Sequence, residues 1–389
     1  MLNPSFTSAK IKRMLDTIHD CCDTTVDVLR QSVLHQQATV NMSAVSQALS
    51  MDIITKCALG WQSDCQRKKE DPVVQTIARI FADSGNWIND LCVVAPFLRV
   101  IASYVFPLLS YGRLFASIED NLQRLLEWRR KTAANASDIV QLMLEAQKLS
   151  TSAYKEESAG LRTPCNARPQ YPFITDRHVV SNCFVFLGAG FDTTASTLAS
   201  LIYELATHPD EQRRLYDDLV SAFPHHERLT YEELQTLKRF DAVISECLRL
   251  HPPLVLGTSR VCREDTRVAT GHLIPSGSHV ILPTWSVLHN SELWVDPYNF
   301  DPDRFIERSV GAAVVSSALS FGIGPRECIG KRLALLELKV ALTKLIRRFE
   351  FSVCSDTHMP LKFKVPLLSL LPEHEIVLRV DLRTTVEDK

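Results

Sequence analysis

Phe321-Gly322-Ile323-Gly324-Pro325-Arg326-Glu327-Cys328-Ile329-Gly330 is the stretch on which the fold turns. It reads as a glycine-rich loop that presents a thiol at the start of a helix running to about residue 349. Gly322 and Gly324 permit backbone angles closed to other residues. A thiol at a helix N-terminus is expected to have a lowered pKa, because free backbone N–H groups and the helix dipole favour the thiolate. Gly330 would let a flat ligand approach the first turn, and Arg326 could pair with a carboxylate. For an isolated cysteine the plainer reading is a structural thiol buried at a helix start. The surrounding string argues against that reading.

Upstream, Glu246-Cys247-Leu248-Arg249 leads into His251-Pro252-Pro253, where the prolines stop a helix predicted over 239–250. The spacing places Glu246 and Arg249 on one helical face. The same E-x-x-R spacing recurs at Glu127–Arg130, Glu211–Arg214 and Glu264–Arg267, which read as solvated pairs. Further upstream, Thr175-Asp176 caps a long helix expected to reach Thr207, apolar on nearly every side from 179 to 205. A helix of that kind runs through a core. Within it lies Ala189-Gly190-Phe191-Asp192-Thr193-Thr194, where a buried acid and hydroxyls call for a reason beyond local back-bonding.

The remaining pattern is mostly helical with a late β portion. Helical spacing predicts helices over 10–34, 40–59 (stopped by Gly60), 72–82, 114–131 and 138–149. A surface loop is expected at 150–172, and helices again at 210–223 and 230–237. Residues 267–273 and 278–283 read as a strand pair around Pro275-Ser276-Gly277, and 297–305 as irregular coil. The apolar stretch 91–110 contains Arg99, Pro96 and Pro107, so it is expected to lie in a membrane interface rather than span it.

Composition narrows the classes. The chain has 389 residues, 46% hydrophobic and 23% charged, which is ordinary globular material. A net charge of −2 gives no basic surface for nucleic acid. The 11 cysteines are odd in number and lack paired CxxC spacing, which points to a reducing compartment and away from a zinc site. No GxGxxG is available to hold a nucleotide.

The loop around Cys328 resembles the cysteine loop of the cytochrome P450 family, F-x-x-G-x-R-x-C-x-G, with every fixed position filled. The long-helix segment is similar to that family's A-G-x-D/E-T-T. The resemblance implies a single catalytic domain over 1–389 in the mostly α cytochrome P450 fold. Its cofactor would be heme b, with the Cys328 thiolate as axial ligand of the iron. It further implies that Phe321 packs beside the sulfur and that Gly322, Gly324 and Gly330 shape the loop. Arg326 and Arg260 would bind the heme propionates. Ala189 and Gly190 would leave room over the heme plane. Thr193 would hydrogen-bond the bound oxygen, and Asp192 would relay protons. Glu246, Arg249 and Arg304, the last from the coil Phe300-Asp301-Pro302-Asp303-Arg304-Phe305, would form a buried charge triad.

The microsomal drug-metabolising and thromboxane-synthase-like branch is the nearest in character. The implied activity is monooxygenation of a lipophilic small molecule such as a xenobiotic, steroid or fatty-acid-like compound. Electrons would come from NADPH through a separate flavoprotein reductase, with cytochrome b5 as a further partner. The implied place is the cytoplasmic face of the endoplasmic reticulum membrane. Two alternatives stand beside it: a heme-thiolate isomerase or dehydratase of lipid peroxides, and a non-catalytic truncated form. Residues 2–10 resemble the end of the family's third main helix. The sequence is therefore expected to lack the family's anchor, first helices and most of the first β-sheet, and to hold heme poorly.

Overall fold

The computed structural model describes residues 7–35, 38–68, 110–132, 138–158, 174–255, 259–306, 310–365 and 369–383. The helix expected at 72–82 and the apolar stretch 91–109 lie outside them. The protein is mostly helical, with short antiparallel sheets.

Helix α1 (Ser8–Leu34) buries Ile11, Met14, Leu15, Ile18, Cys22 and Leu29, the face that its 3.6-residue spacing marks. The helix expected over 40–59 is instead three pieces. Strand β1 (Thr39–Asn41) comes first, helix α2 (Met42–Ile54) follows, and a π-helical turn (Thr55–Leu59) ends it. Asn41 causes the first break, because its Oδ1 accepts the Ala44 amide at 3.1 Å and so caps α2. At the other end Thr55 Oγ1 donates to the Met51 carbonyl at 2.7 Å, and Gly60 closes the turn in the left-handed region, φ +60°.

Helices α3 (Ser110–Thr132) and α4 (Ile139–Ser158) follow. Sequence polarity stopped α4 at 149, but the helix continues. The Ser150 and Thr151 hydroxyls both donate to the Gln147 carbonyl, so these residues are satisfied inside the helix. Helix α5 (Asp176–Thr207) has 32 residues and spans about 48 Å at 1.5 Å per residue. It is the one described helix long and apolar enough to cross a membrane, and most of its apolar window is buried inside the protein. Then come α6 (Pro209–Ala222), α7 (Tyr231–Thr236) and α8 (Lys238–Leu250). Thr230 and Glu233 form a reciprocal capping box at α7.

The strand pairing differs from expectation. Strand β2 (Ser259–Val261) pairs with β5 (His279–Ile281), whereas β3 (Thr266–Arg267) pairs with β4 (Leu273–Ile274). Residues 267–273 therefore do not pair with 278–283. The reason is local: Gly271 takes φ +86° and donates to the Val268 carbonyl at 2.8 Å, closing β3 onto β4 within a few residues. Helix α9 (Thr284–Leu288) and a 3₁₀ turn (Pro302–Phe305) lead to α10 (Val310–Phe321). Helix α11 (Lys331–Arg348) runs directly into β6 (Phe349–Ser352). A short pair, β7 (Phe363–Lys364) with β8 (Leu371–Pro372), precedes β9 (Val377–Leu382), which lies between β1 and β6 in a three-stranded sheet.

The described residues gather into two compact units. One holds α1 to Leu29, the chain from Gln47 to Thr194 and the start of α11 to Glu337; the other holds the rest. The first unit is organised around buried polar groups. Asp52 accepts from Ser63 Oγ (2.6 Å), the Cys65 amide (2.9 Å) and Gln66 Nε2 (3.2 Å); the bonds from Ser63 and Cys65 hold its carboxyl below the usual carboxylate range against the opposing effect of burial. Arg129 pairs with Asp138 at 2.5 Å and caps the Leu59 and Gly60 carbonyls.

Because Gly60 is left-handed and the Arg129 guanidinium occupies the space a Cβ would need, Gly60→Ala should lower stability by roughly 1–3 kcal/mol. Urea unfolding checks this, and an unchanged midpoint would contradict the packing described.

Candidate active site

Cys328 sits in a loop held from both ends. Its amide donates to the Phe321 carbonyl at 2.7 Å, closing the loop back onto the end of α10, and its carbonyl accepts from Lys331 at 3.3 Å. Gly322 and Gly324 both take φ +79°, a conformation that demands glycine. A 3₁₀ turn (Gly324–Arg326) carries Arg326 to the surface. A Cβ on Gly330 would come within 4 Å of Cys328 Sγ alone, so that position presents a low profile beside the sulfur. Lys331 ion-pairs with Glu327 at 2.6 Å and lies over the Phe321 ring.

Two expectations for Cys328 need correction. The residue does not open α11; it lies three positions before Lys331, in the turn that leads to it. Its thiol pKa is also raised, not lowered. The loop crowds the sulfur from behind, and that partial desolvation outweighs the Gly330 and Lys331 amides that would favour a thiolate. The residue is nonetheless open to solvent. Of the described cysteines six are buried, Cys262 and Cys354 are half-buried, and Cys328 alone is exposed. Among the described residues no group of three or more His, Cys, Asp or Glu converges. A lone accessible thiol fits a metal that arrives in its own macrocycle, which heme iron does.

On α5, Val185 and Ala189 are exposed and Thr193 half-exposed, at four-residue intervals that continue from the exposed Ser181. Asp192 is buried. The Thr193 hydroxyl donates to the Ala189 carbonyl at 2.7 Å, the local back-bond open to any mid-helix threonine. Gly190 has a further packing reason. A Cβ there would meet Ile54 Cδ1 at 2.6 Å, and Ser50 Oγ donates to the Gly190 carbonyl at 3.2 Å, so α2 presses onto this turn.

Glu246 and Arg249 on α8 are fully buried. They form a two-pronged pair, Nε–Oε2 2.7 Å and Nη2–Oε1 2.8 Å. Arg304 Nε joins Glu246 Oε1 at 2.9 Å, and the Asp301 amide donates to the same oxygen at 3.0 Å. Arg249 also caps the Leu288, Pro297 and Asn299 carbonyls and lies over the Trp294 ring. Of the other E-x-x-R spacings, Glu211–Arg214 joins a partly exposed network with Arg239 and Asp303 rather than a fully buried cluster. Arg260 is exposed on β2 and donates to the Ser259 carbonyl.

Sequence reasoning passed over Glu337, a carboxyl buried on α11 within the apolar run Leu333–Val340. The signal was available: helical spacing turns it to the same side as Leu333 and Val340.

Comparison with known proteins supplies the family. The sequence model of the Cytochrome P450 family matches residues 1–380. Cytochrome P450 3A11 of Mus musculus is 32% identical, over 99% of this chain and 73% of its own length. Cytochrome P450 3A12 of Canis lupus familiaris is 31% identical, over 98% and 73%. Cytochrome P450 3A7 of Homo sapiens is 30% identical, over 98% and 73%.

Arg249→Ala should destabilise the fold by about 3–5 kcal/mol, because it strands a buried carboxylate. The urea midpoint measures this; a loss under about 1 kcal/mol would mean that Glu246 is not held as a buried ion.

Proposed function

The chain belongs to the cytochrome P450 family, and on that premise we propose that it oxidises lipophilic small molecules, xenobiotics or steroids among them, with electrons from NADPH passed through a separate flavoprotein reductase. It is a monooxygenase that takes heme b as cofactor. The proposed place of work is the cytoplasmic face of the endoplasmic reticulum membrane, with cytochrome b5 as an accessory electron donor. The observation that carries the reading is the exposed thiol of Cys328 in its clamped, glycine-turned loop.

Heme, when bound, supplies an iron at which dioxygen is reductively cleaved, helped by electron density from a thiolate ligand. The chain's own groups supply the rest. Cys328 would provide the sulfur that holds the iron, Phe321 would shield it, and Gly330 would keep the approach low. Arg326 and Arg260, both exposed guanidiniums on short rigid elements, suit planar two-pronged capture of the propionates. Ala189 keeps the open face of α5 shallow. Thr193 holds a hydroxyl proton at that face, and Asp192, one residue away, is the acid that replenishes it. A hydroxyl on this face, with a buried acid next to it in the chain, favours monooxygenation over isomerisation of lipid peroxides, which needs no delivered proton.

Two outcomes follow. The reduced carbon-monoxide complex should show the absorption band of thiolate-ligated heme, and Cys328→Ser should abolish it; persistence of the band would remove Cys328 from the ligand position. With substrate and reductase present, Thr193→Ala should keep consuming NADPH while peroxide rises at the expense of product. Equal coupling in the variant and the parent would exclude Thr193 from proton delivery.

A further inference from the structure

The turn that carries Cys328 is bridged by a charged pair. Glu327 stands immediately before the cysteine and Lys331 three residues after it, and their side chains meet at 2.6 Å. The backbone closes the same turn, because the Lys331 amide donates to the Cys328 carbonyl at 3.3 Å. The Lys331 ammonium also lies over the Phe321 ring, 5.8 Å from its centre. All four residues belong to one compact unit. One lysine therefore touches both ends of the loop, the acid that adjoins Cys328 and the aromatic ring at the loop's start. Neither Glu327 nor Lys331 fills a fixed position of F-x-x-G-x-R-x-C-x-G, so that pattern leaves both without a role.

A partly exposed ion pair adds little to the stability of a fold. What it does here is restrict a long side chain that would otherwise sample many rotamers. An ammonium within about 6 Å of an aromatic centre is attracted by the ring's quadrupole, and the attraction is directional, since only the ring face is negative. The backbone holds Phe321 at its carbonyl, which takes the Cys328 amide at 2.7 Å. That bond does not set the rotamer of a half-buried ring. We propose that Lys331 is a positioning residue which, held by Glu327 across the turn, fixes the Phe321 ring as the cover of the Cys328 thiol. This deepens the shielding role given to Phe321 above and rests on it. The clamp itself needs neither heme nor reductase.

A plain surface pair at this spacing would leave access to the sulfur unchanged, so access is what separates the two roles. Acidity does not separate them. The charge of Lys331 lowers the Cys328 thiol pKa and that of Glu327 raises it, so replacing either residue also alters how much thiolate is present. The measurement has to report cover independently of ionisation. Two reagents of different size meet that need, because both attack the same thiolate and only the larger is sensitive to a ring standing in its path.

The test uses the full chain. Rates of modification by a bulky aryl maleimide and by iodoacetamide are followed by mass spectrometry of the peptide that carries Cys328, and their ratio is the readout. Lys331→Met should raise the bulky-to-small ratio about two- to fivefold, the range of a partly exposed cation–π contact. Lys331→Arg, whose guanidinium keeps that contact, should hold the parent ratio. Glu327→Gln, which frees the ammonium without removing it, should fall between the parent and Lys331→Met. Phe321→Leu should raise the ratio by itself, and Lys331→Met added to it should change nothing further. A ratio that Phe321→Leu raises and Lys331→Met does not, or that the two raise additively, overturns the proposal and leaves Phe321 as the cover. A ratio unmoved by Phe321→Leu overturns both. In the heme-loaded protein, the thiolate-type band of the reduced carbon-monoxide complex should fade about two- to fivefold faster in Lys331→Met than in the parent. If modification behaves as stated but the band fades equally, the clamp stands and it is the part of Phe321 in the loaded site that fails.

Discussion

One buried carboxylate, that of Glu246, governs the half of the molecule that presents the thiol. It takes bonds from two guanidiniums and a backbone amide, and those guanidiniums in turn cap carbonyls at Leu288, Val295, Pro297 and Asn299. Desolvating three charges is expensive, and a well-packed apolar cluster could be equally stable. What apolar side chains could not do is satisfy the carbonyls of an irregular coil, each of which costs free energy if left bare. The triad is therefore best understood as the substitute for secondary structure between α9 and α10. Helix α8, which carries two of its members, also receives the Ser320 hydroxyl at the Leu248 carbonyl, just before the Cys328 loop. The position of the thiol loop thus traces back to Glu246.

A second constraint acts on α5. A helix buried nearly all round has no solvent to absorb its polar residues, so each must find a partner inside. Thr193 uses its own helix, while the carbonyl of Gly190 takes a donor from α2. The small side chains at 189 and 190 serve different ends. Ala189 lies on the open side; Gly190 faces Ile54, where even one methyl would collide. A motif that reads as one functional unit is thus divided between an accessible face and a helix–helix contact.

What could be seen in advance depended on how local its cause was. Helix α1, the short helix after Thr230 and the stop at Pro252-Pro253 follow from spacing and chain-breaking residues close at hand, and they stand where expected. The Glu246–Arg249 pair was legible because the Pro-terminated helix singled it out from identical spacings elsewhere. The errors share a different origin. Strand pairing around β2 and β5 depends on which of two glycine turns joins which strands, and the pattern of 267–283 fits both. The end of α4 depended on Ser150 and Thr151 finding a carbonyl, which composition does not reveal. Glu337 went unnoticed because an acid in a helix reads as solvated until the packing of α1 and α2 around it is known.

The Cys328 thiol shows the same limit from the side of energetics. Sequence spacing put it at a helix terminus, and the amides of Gly330 and Lys331 do point at the sulfur, as that reading required. Their effect was overestimated because the loop that aims those amides also removes water from one side of the thiol. Two partial backbone dipoles do not repay that loss, so the chain on its own favours the thiol form. The four other cysteines with resolved shifts, at 21, 57, 183 and 247, are raised chiefly by burial and have no open approach. What separates Cys328 is access together with aimed donors, not acidity. Its loop fixes the direction of the sulfur, and the charge that favours ionisation has to come from the metal it would bind.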